Sequence, residues 1–412
     1  MTTPRRAALW IAAAVLARGA CAQTATDASQ AVGFRAGPWI IAPSLIAGCS
    51  YDSNVLFQPD ELHPTPDRVI SVQPALQLTL PFSHSRFRFG DTLRWLDYGT
   101  TPQTAGKTAN DANAELALGF GTGDELGLAA RSVAGIAETV VFDPSGEAQG
   151  LQGNAYDFHT ETLSLQRQIP DARGYRFAVT RNVLSFERPV PFDFVEYRGF
   201  DGEGAYTQPL SPNTRLSFGY LGSRYDLYLL SPVTDPTQVF RTENGNALYV
   251  QAEGRLGPRQ PYSVRVGWER LTFGLDAGLA DYSGPIWNAS MGAILGGGTT
   301  VAVTIQRQPY RSTSADQSFY LTDQLGGSVA RSFRGGSTVG GRVMLSRYTF
   351  GQPIAGTYRT DRAYLLELYG SLAVQDRVNF RISILSNRRW SNYVGGAYDS
   401  IAVFGGFVLG WI

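Results

Sequence analysis

Short turn-forming stretches recur through this chain at intervals of 38 to 50 residues, and the segments between them alternate apolar side chains with polar or small ones. Eight such stretches, at 81–85, 121–124, 170–174, 209–213, 257–261, 296–298, 334–336 and 375–377, are dense in turn-forming residues such as Gly, Pro, Ser and Asp. Alternation at every second residue describes an extended strand with two unlike faces, and turn formers end such runs. Longer polar connections lie between the short ones, at 52–67, 99–109, 138–157, 188–193, 230–245, 275–283, 310–317, 351–360 and 391–397. Eight short and nine long connections join eighteen strands, and an even count brings both ends to one side. Residues 194–208 show no clean alternation, and Pro43 and Pro74 each remove a ladder donor and imply bulges, so sixteen strands is the alternative count. A propeller has a similar repeat length, but its blade motifs are missing.

The nature of the two faces identifies the solvent. In the closing stretch Ile401, Val403, Phe407, Leu409 and Trp411 share one face, while Ala402, Gly406 and Gly410 fall on the other. Elsewhere Tyr175, Phe177 and Val179 alternate with Arg176, Ala178 and Thr180, and Val378, Phe380, Ile382 and Ile384 with Asn379, Arg381 and Ser383. An apolar outside around a polar inside, with short turns at one end and long loops at the other, predicts an all-β fold. It is a transmembrane antiparallel up-and-down β-barrel. No apolar run of the mature chain is long enough for a spanning helix, so strands carry the crossing. Trp95, Tyr220, Trp268 and Trp287 suit the interfacial aromatic girdles, whereas Asp91 shares the apolar face of Phe87, Phe89 and Leu93. The end of the chain resembles the insertion signal of bacterial outer-membrane barrels in Gly406, Leu409 and Trp411. It departs in Phe404 and in the extra Ile412. An ordinary buried edge strand is the alternative for this stretch taken alone.

The N-terminus reads as an export signal: Arg5-Arg6, an apolar segment from Ala7 to Ala17, and Ala20-Cys21-Ala22, with cleavage between Ala22 and Gln23. Arg18 argues against lipidation at Cys21, and Arg5-Arg6 also suits the twin-arginine route. The expected organisation is a signal peptide at 1–22, a short periplasmic lead at 23–38 and the barrel at 39–412. With strand one beginning near Trp39, neither an N-terminal plug nor a passenger domain is expected. After cleavage Cys49 stands alone, so no internal disulfide is expected.

Lys and Arg total 35 against 35 Asp and Glu, which disfavours a nucleic-acid partner. A charge on the lipid face near mid-membrane costs about 2–4 kcal/mol for Arg, so strand arginines must face the lumen or sit near a rim. The lumen-lining candidates are Arg86, Arg88, Arg94, Arg176, Arg215, Arg265, Arg342 and Arg381, with Glu115, Glu253, Glu269 and Glu367 opposite. Their mixed signs predict a polar pore with a mild anion preference, or charges that fill and rigidify the lumen by pairing across it. His63, His84 and His159 have no ligand spacing, and no metal or cofactor site is expected. Gly106-Lys107-Thr108 lacks the earlier glycine of a phosphate loop, with Thr101 in its place. Asp157-Phe158-His159 leaves a hydrolase as the remaining catalytic reading, although a polar loop rim explains it more simply.

Residues 48–55, Gly-Cys-Ser-Tyr-Asp-Ser-Asn-Val, end the first strand in Gly-x-x-Tyr-Asp-x-Asn-Val. This motif, the following strand at 69–80 and the whole-chain hairpin rhythm resemble the β-barrel porins of the type 2 class in Gram-negative bacteria. The resemblance implies an outer-membrane barrel, and for some members an association with exopolysaccharide production and export. Tyr51 is expected at the outer rim, with Asp52 and Asn54 starting the first outer loop through side-chain-to-backbone hydrogen bonds. The leading functional expectation is a passive channel for small hydrophilic solutes or an exopolysaccharide-linked barrel. The alternative is a closed, structural barrel with residues 138–157 as occluder. The partners implied are outer-membrane lipid, the barrel-assembly machinery, and solutes or polysaccharide.

Overall fold

The computed structural model describes residues 33–410 except 56–62, 100–106, 121–122, 137–154, 170–172, 187–193, 231–238, 275–278, 313–316, 355 and 394–395. The strands are β1 (Phe34–Ala36), β2 (Trp39–Asp52), β3 (Asp67–Phe82), β4 (Ser85–Tyr98), β5 (Lys107–Phe120) and β6 (Asp124–Ile136). They continue as β7 (Ala155–Gln168), β8 (Gly174–Phe186), β9 (Phe194–Ser211), β10 (Thr214–Leu230), β11 (Val239–Arg255) and β12 (Pro261–Gly274). The last are β13 (Tyr282–Leu295), β14 (Thr299–Arg311), β15 (Phe319–Ser332), β16 (Thr338–Ile354), β17 (Thr357–Gln375), β18 (Val378–Ser391) and β19 (Tyr398–Gly410). From β2 to β19 each strand pairs antiparallel with the next, and β19 pairs back onto β2, closing a ring of eighteen. Closure leaves no edge, the condition for a sheet to cross a bilayer. The tiny β1 pairs with the start of β2, Phe34 opposite Ile41, beyond the point where β19 ends opposite Ser44.

The expected faces are present. Phe177, Val179, Leu248 and Trp268 point out of the ring with more than half of each residue exposed, while Arg176, Ala178 and Thr180 point into it. An apolar belt of this extent is stable only against lipid. Trp95 and Tyr220 also face outward, and Asp91 does too, accepting a hydrogen bond from Asn110 Nδ2 at 2.8 Å. That bond satisfies the carboxylate on a face that offers it no water. The irregular 194–208 stretch is an ordinary strand: Gly202 and Gly204 occupy its outward face beside Phe200, which hides the alternation.

Three expectations need correction. Neither Pro43 nor Pro74 makes a bulge: the β2–β3 and β3–β4 registers run through without a shift. Pro43 falls in the gap between the partners of β19 and β1, and the β3–β4 ladder skips Gln73 and Pro74, so each proline forgoes a bond without inserting a residue. The loop placed at 351–360 is mostly strand, with β16 reaching Ile354 and a bulge between Thr349 and Pro353. Likewise β11 already begins at Val239, inside the loop placed at 230–245. Pairing continues past the bilayer because the polar residues there still have ladder partners.

The seam explains the family-like motif. Asp52 Oδ1 accepts from the Asn54 N–H and from Ser400 Oγ, both at 2.8 Å, and Asn54 Nδ2 donates to the Asp399 carbonyl at 3.0 Å. Ser53 exchanges bonds with Ile401 through its backbone N–H and its hydroxyl. The Tyr51–Asn54 segment therefore stitches the first strand to the last. Below it Gly406 lies opposite Gly48, where a Cβ on Gly406 would come 2.6 Å from the Ala47 carbonyl oxygen. The ring of Phe404 covers Gly48 on the inner side, so an aromatic occupies this lumen position. Leu409 faces out, whereas Trp411 and Ile412 lie outside the described residues, as do Ala22, Gln23 and the signal segment.

Candidate functional site

Strand parity places all twelve lumen candidates on the inner wall. In the short-turn half they form small ion clusters open to the lumen. Arg86 donates to Glu115 at 2.7 Å, and Arg88 lies 4.0 Å from the same carboxylate. Arg342 and Arg381 share Glu367 at 2.6 and 3.5 Å. Arg215 stands directly opposite Glu253, which accepts from Gln251. Arg94 lies opposite Ala109 on β5, and Glu269 between Ala247 and Gly284. The side chains of Arg86 and Arg381 stay 43% exposed.

Arg176 and Arg265 converge on Glu203, at 3.0 and 3.5 Å. Glu203 was not among the sequence candidates, because it sits in the stretch whose alternation is masked by outward glycines. Tyr249 donates to it at 2.6 Å from two strands away. Its ring lies flat on the wall over Gly219, where any Cβ would collide with it. Arg265 stacks on that ring at 4.1 Å and donates to Gln251. Changing Glu203 to Gln removes one negative charge from the wall and leaves one oxygen to accept from Tyr249 and Arg265, while Arg176 loses its acceptor. For an ion roughly 10 Å away in water this is worth about 0.4 kcal/mol, about a twofold shift of permeability toward anions. Reversal potentials in a salt gradient measure it.

The long-loop half of the bore is packed. Buried clusters line its inner wall: Val69, Leu96 and Tyr98; Val133, Tyr156 and Phe186; and Val195, Tyr225 and Leu227. The largest intrusion comes from β14 and β15. The β13–β14 ladder stops at Trp287–Arg307, while β15 stays bonded to β16 as far as Tyr320–Phe350. Above that split β14 parts from β13, and the β14–β15 hairpin, still carried on β16, turns inward and overlaps β10–β13. Phe319 and Leu321 pack on Leu271 and Tyr282. Arg311 makes a two-point ion pair with Glu243 of β11, at 2.8 and 2.9 Å, and stacks on Tyr225 at 3.4 Å. Arg241, wholly buried on β11, donates to the carbonyls of Gln317 and Ser312 at 2.6 and 2.9 Å. Gln317 exchanges side-chain bonds with the backbone of Gln352. On the other side Tyr320 packs against Tyr348 and Phe350. Beside them Asp361 accepts from Arg359, Arg389 and Ser391 in a site closed to solvent.

Residues 310–317 were expected as an outward loop; the described part folds inward instead, because β11 supplies partners for its backbone. Of the segment expected to occlude, 138–157, the described part, from Ala155, belongs to β7, and residues 138–154 lie outside the described residues. His159 and Asp157 sit on the outward face of β7, with Ser132 as the cross-strand partner of His159. Lys107 opens a strand, with no helix after it. Among the described residues no three His, Cys, Asp or Glu side chains group as a metal site.

No family model matches the chain, and no curated protein matches it significantly. Among solved structures, OpdO of Pseudomonas aeruginosa aligns with a TM-score of 0.50 and 11% identity over 90% of this chain and 97% of that one. The siderophore receptor PirA of the same organism aligns at 0.45 and 10% identity, over 90% of this chain and 80% of PirA. The alcaligin outer-membrane receptor FauA of Bordetella pertussis aligns at 0.44 and 9%, over 92% and 76%. At such identities the likeness is one of fold. The chain is an eighteen-stranded β-barrel of the Gram-negative outer membrane.

Proposed function

We propose that this barrel is a passive channel for small hydrophilic solutes, narrowed at its long-loop mouth by the inward β14–β15 hairpin. The supporting observation is the contrast between its two halves. Charges in the short-turn half stay open to the bore, whereas Arg241, Asp361 and Arg389 in the other half are closed to solvent. An eighteen-stranded ring is wide enough for an aqueous channel unless something fills it. The described filling is confined to one end, where the contacts of Arg241 and Arg311 and the packing of Phe319 and Leu321 hold it, as suits a constriction rather than a filled bore. A wet bore with alternating Arg and Glu clusters passes polar solutes of either sign and favours none strongly. Liposomes carrying the purified full-length barrel are expected to swell in small sugars, at rates that fall as the sugar grows. Liposomes that hold folded barrel and swell in none of them contradict the reading.

A link to exopolysaccharide export is the finer proposal, and it rests on the resemblance carried by residues 48–55, the strand at 69–80 and the hairpin rhythm. Loss of secreted polysaccharide on deleting the gene supports it, and unchanged secretion removes it.

A further inference from the structure

The lipid face carries a charge arrangement that the channel does not use. On β14 to β17 one cross-strand row reads Arg307, Asp323, Arg347, Arg362. Arg347 follows Val343 and Leu345 on the outward face of β16, and Arg362 shares the outward face of β17 with Leu366 and Leu368. The row lies one step beyond the apolar belt on the long-loop side, level with Tyr364 and Trp390, whose rings meet at 5.6 Å. Arg347 and Arg362 are direct cross-strand partners, so like charges face each other with Cβ atoms about 5 Å apart, a destabilising pair by itself. The nearby carboxylates are committed elsewhere. Asp323 accepts from Arg307 at 2.9 Å, Asp399 pairs with Arg388 at 3.8 Å, and Asp361 faces inward to Arg389.

We propose that Arg347 and Arg362 bind the phosphate of a phosphorylated, multiply acylated glycolipid of the outer leaflet. Two adjacent guanidiniums suit a phosphate monoester, which carries up to two negative charges and three acceptor oxygens. A phosphodiester headgroup has one charge and one fewer free oxygen for the pair. The acyl chains lie down the stripe formed by Val343, Leu345, Leu366 and Leu368, and the aromatic rings flank the sugar. The long-loop end faces the outer leaflet, where such glycolipids reside. The bound phosphate turns a repulsive pair into a bridged one.

The test uses the full-length barrel in non-ionic detergent, titrated with phosphorylated lipid A, dephosphorylated lipid A or phosphatidylglycerol. Phosphorylated lipid A is expected to bind at least tenfold more tightly than either of the others. Arg347→Gln with Arg362→Gln is expected to abolish that preference, each guanidinium accounting for about tenfold. Arg388→Gln, whose cation already has Asp399, is expected to leave it intact. Without lipid, the double variant is expected to unfold at the same or a higher temperature, because the repulsion is gone. Should the double variant not fold, the two single variants carry the same reading. Equal binding by the variants and the unmodified protein overturns the proposal, as does equal binding of phosphatidylglycerol or of the dephosphorylated lipid.

Discussion

Arg241→Ala is expected to raise the single-channel conductance severalfold and to replace brief openings with long ones. The Arg241 guanidinium is buried and holds the carbonyls of Ser312 and Gln317 from the inner wall of β11. Hydrogen bonds of a charged donor contribute about 1.5–3 kcal/mol each, and carbonyls left buried without a partner cost about 1–3 kcal/mol more. Losing two such bonds changes the docked-to-undocked ratio of the β14–β15 tip by about two orders of magnitude or more. The eighteen-strand ring does not depend on these contacts, since its ladders lie elsewhere. The variant should therefore keep its heat-modifiable mobility while its open time lengthens. Glu243→Gln is expected to act in the same direction and more weakly, because Arg311 keeps its stacking on Tyr225. An Arg241→Ala channel with unmodified conductance and gating would show that the hairpin does not limit the path.

Asp361→Ala is expected to destabilise the barrel by about 3–5 kcal/mol, the cost of leaving buried cations without their partner. Asp361 is fully buried and Arg389 is 2% exposed, with Arg359 stacked on Phe350 at 4.5 Å and bonded to the same carboxylate. Arg389, stacked over Tyr348, is shut off from water, whereas the Arg359 side chain keeps 16% exposure. The loss should appear as a lower denaturant midpoint in lipid or detergent. Adding Arg389→Met to the variant is expected to recover part of it, since a missing ion is tolerated better than an unpaired one. A midpoint unchanged by Asp361→Ala would show that this buried ion cluster does not hold the long-loop half together.

The barrel was legible in the sequence because each turn announces itself locally. Gly297, Gly298, Gly335 and Gly336 take positive φ where the chain reverses, and strand parity then fixes which way every side chain points. This is why Arg176, Arg342 and Glu367 could be assigned to the inner wall from alternation alone. What alternation cannot show is a strand pair that parts from one neighbour and turns inward. Tyr310, Arg311 and Gln317 read as a polar outer loop, and their inward fold depends on Arg241 and Glu243, about seventy residues earlier in the chain. Glu203 was missed for a second reason: outward Gly202 and Gly204 erase the apolar half of the pattern. Arg347 and Arg362 were missed for a third. The penalty for a lipid-facing charge falls toward the interface, and they lie where it is small.

Water and solutes are proposed to cross the bore past a constriction at its long-loop mouth. The most direct measurement is planar-bilayer recording of the purified full-length protein beside its Arg241→Ala variant, with insertion verified by heat-modifiable mobility. Discrete ohmic steps of uniform size are expected for the protein, and larger or longer-lived steps for the variant. A correctly inserted barrel that is silent in both forms would contradict it.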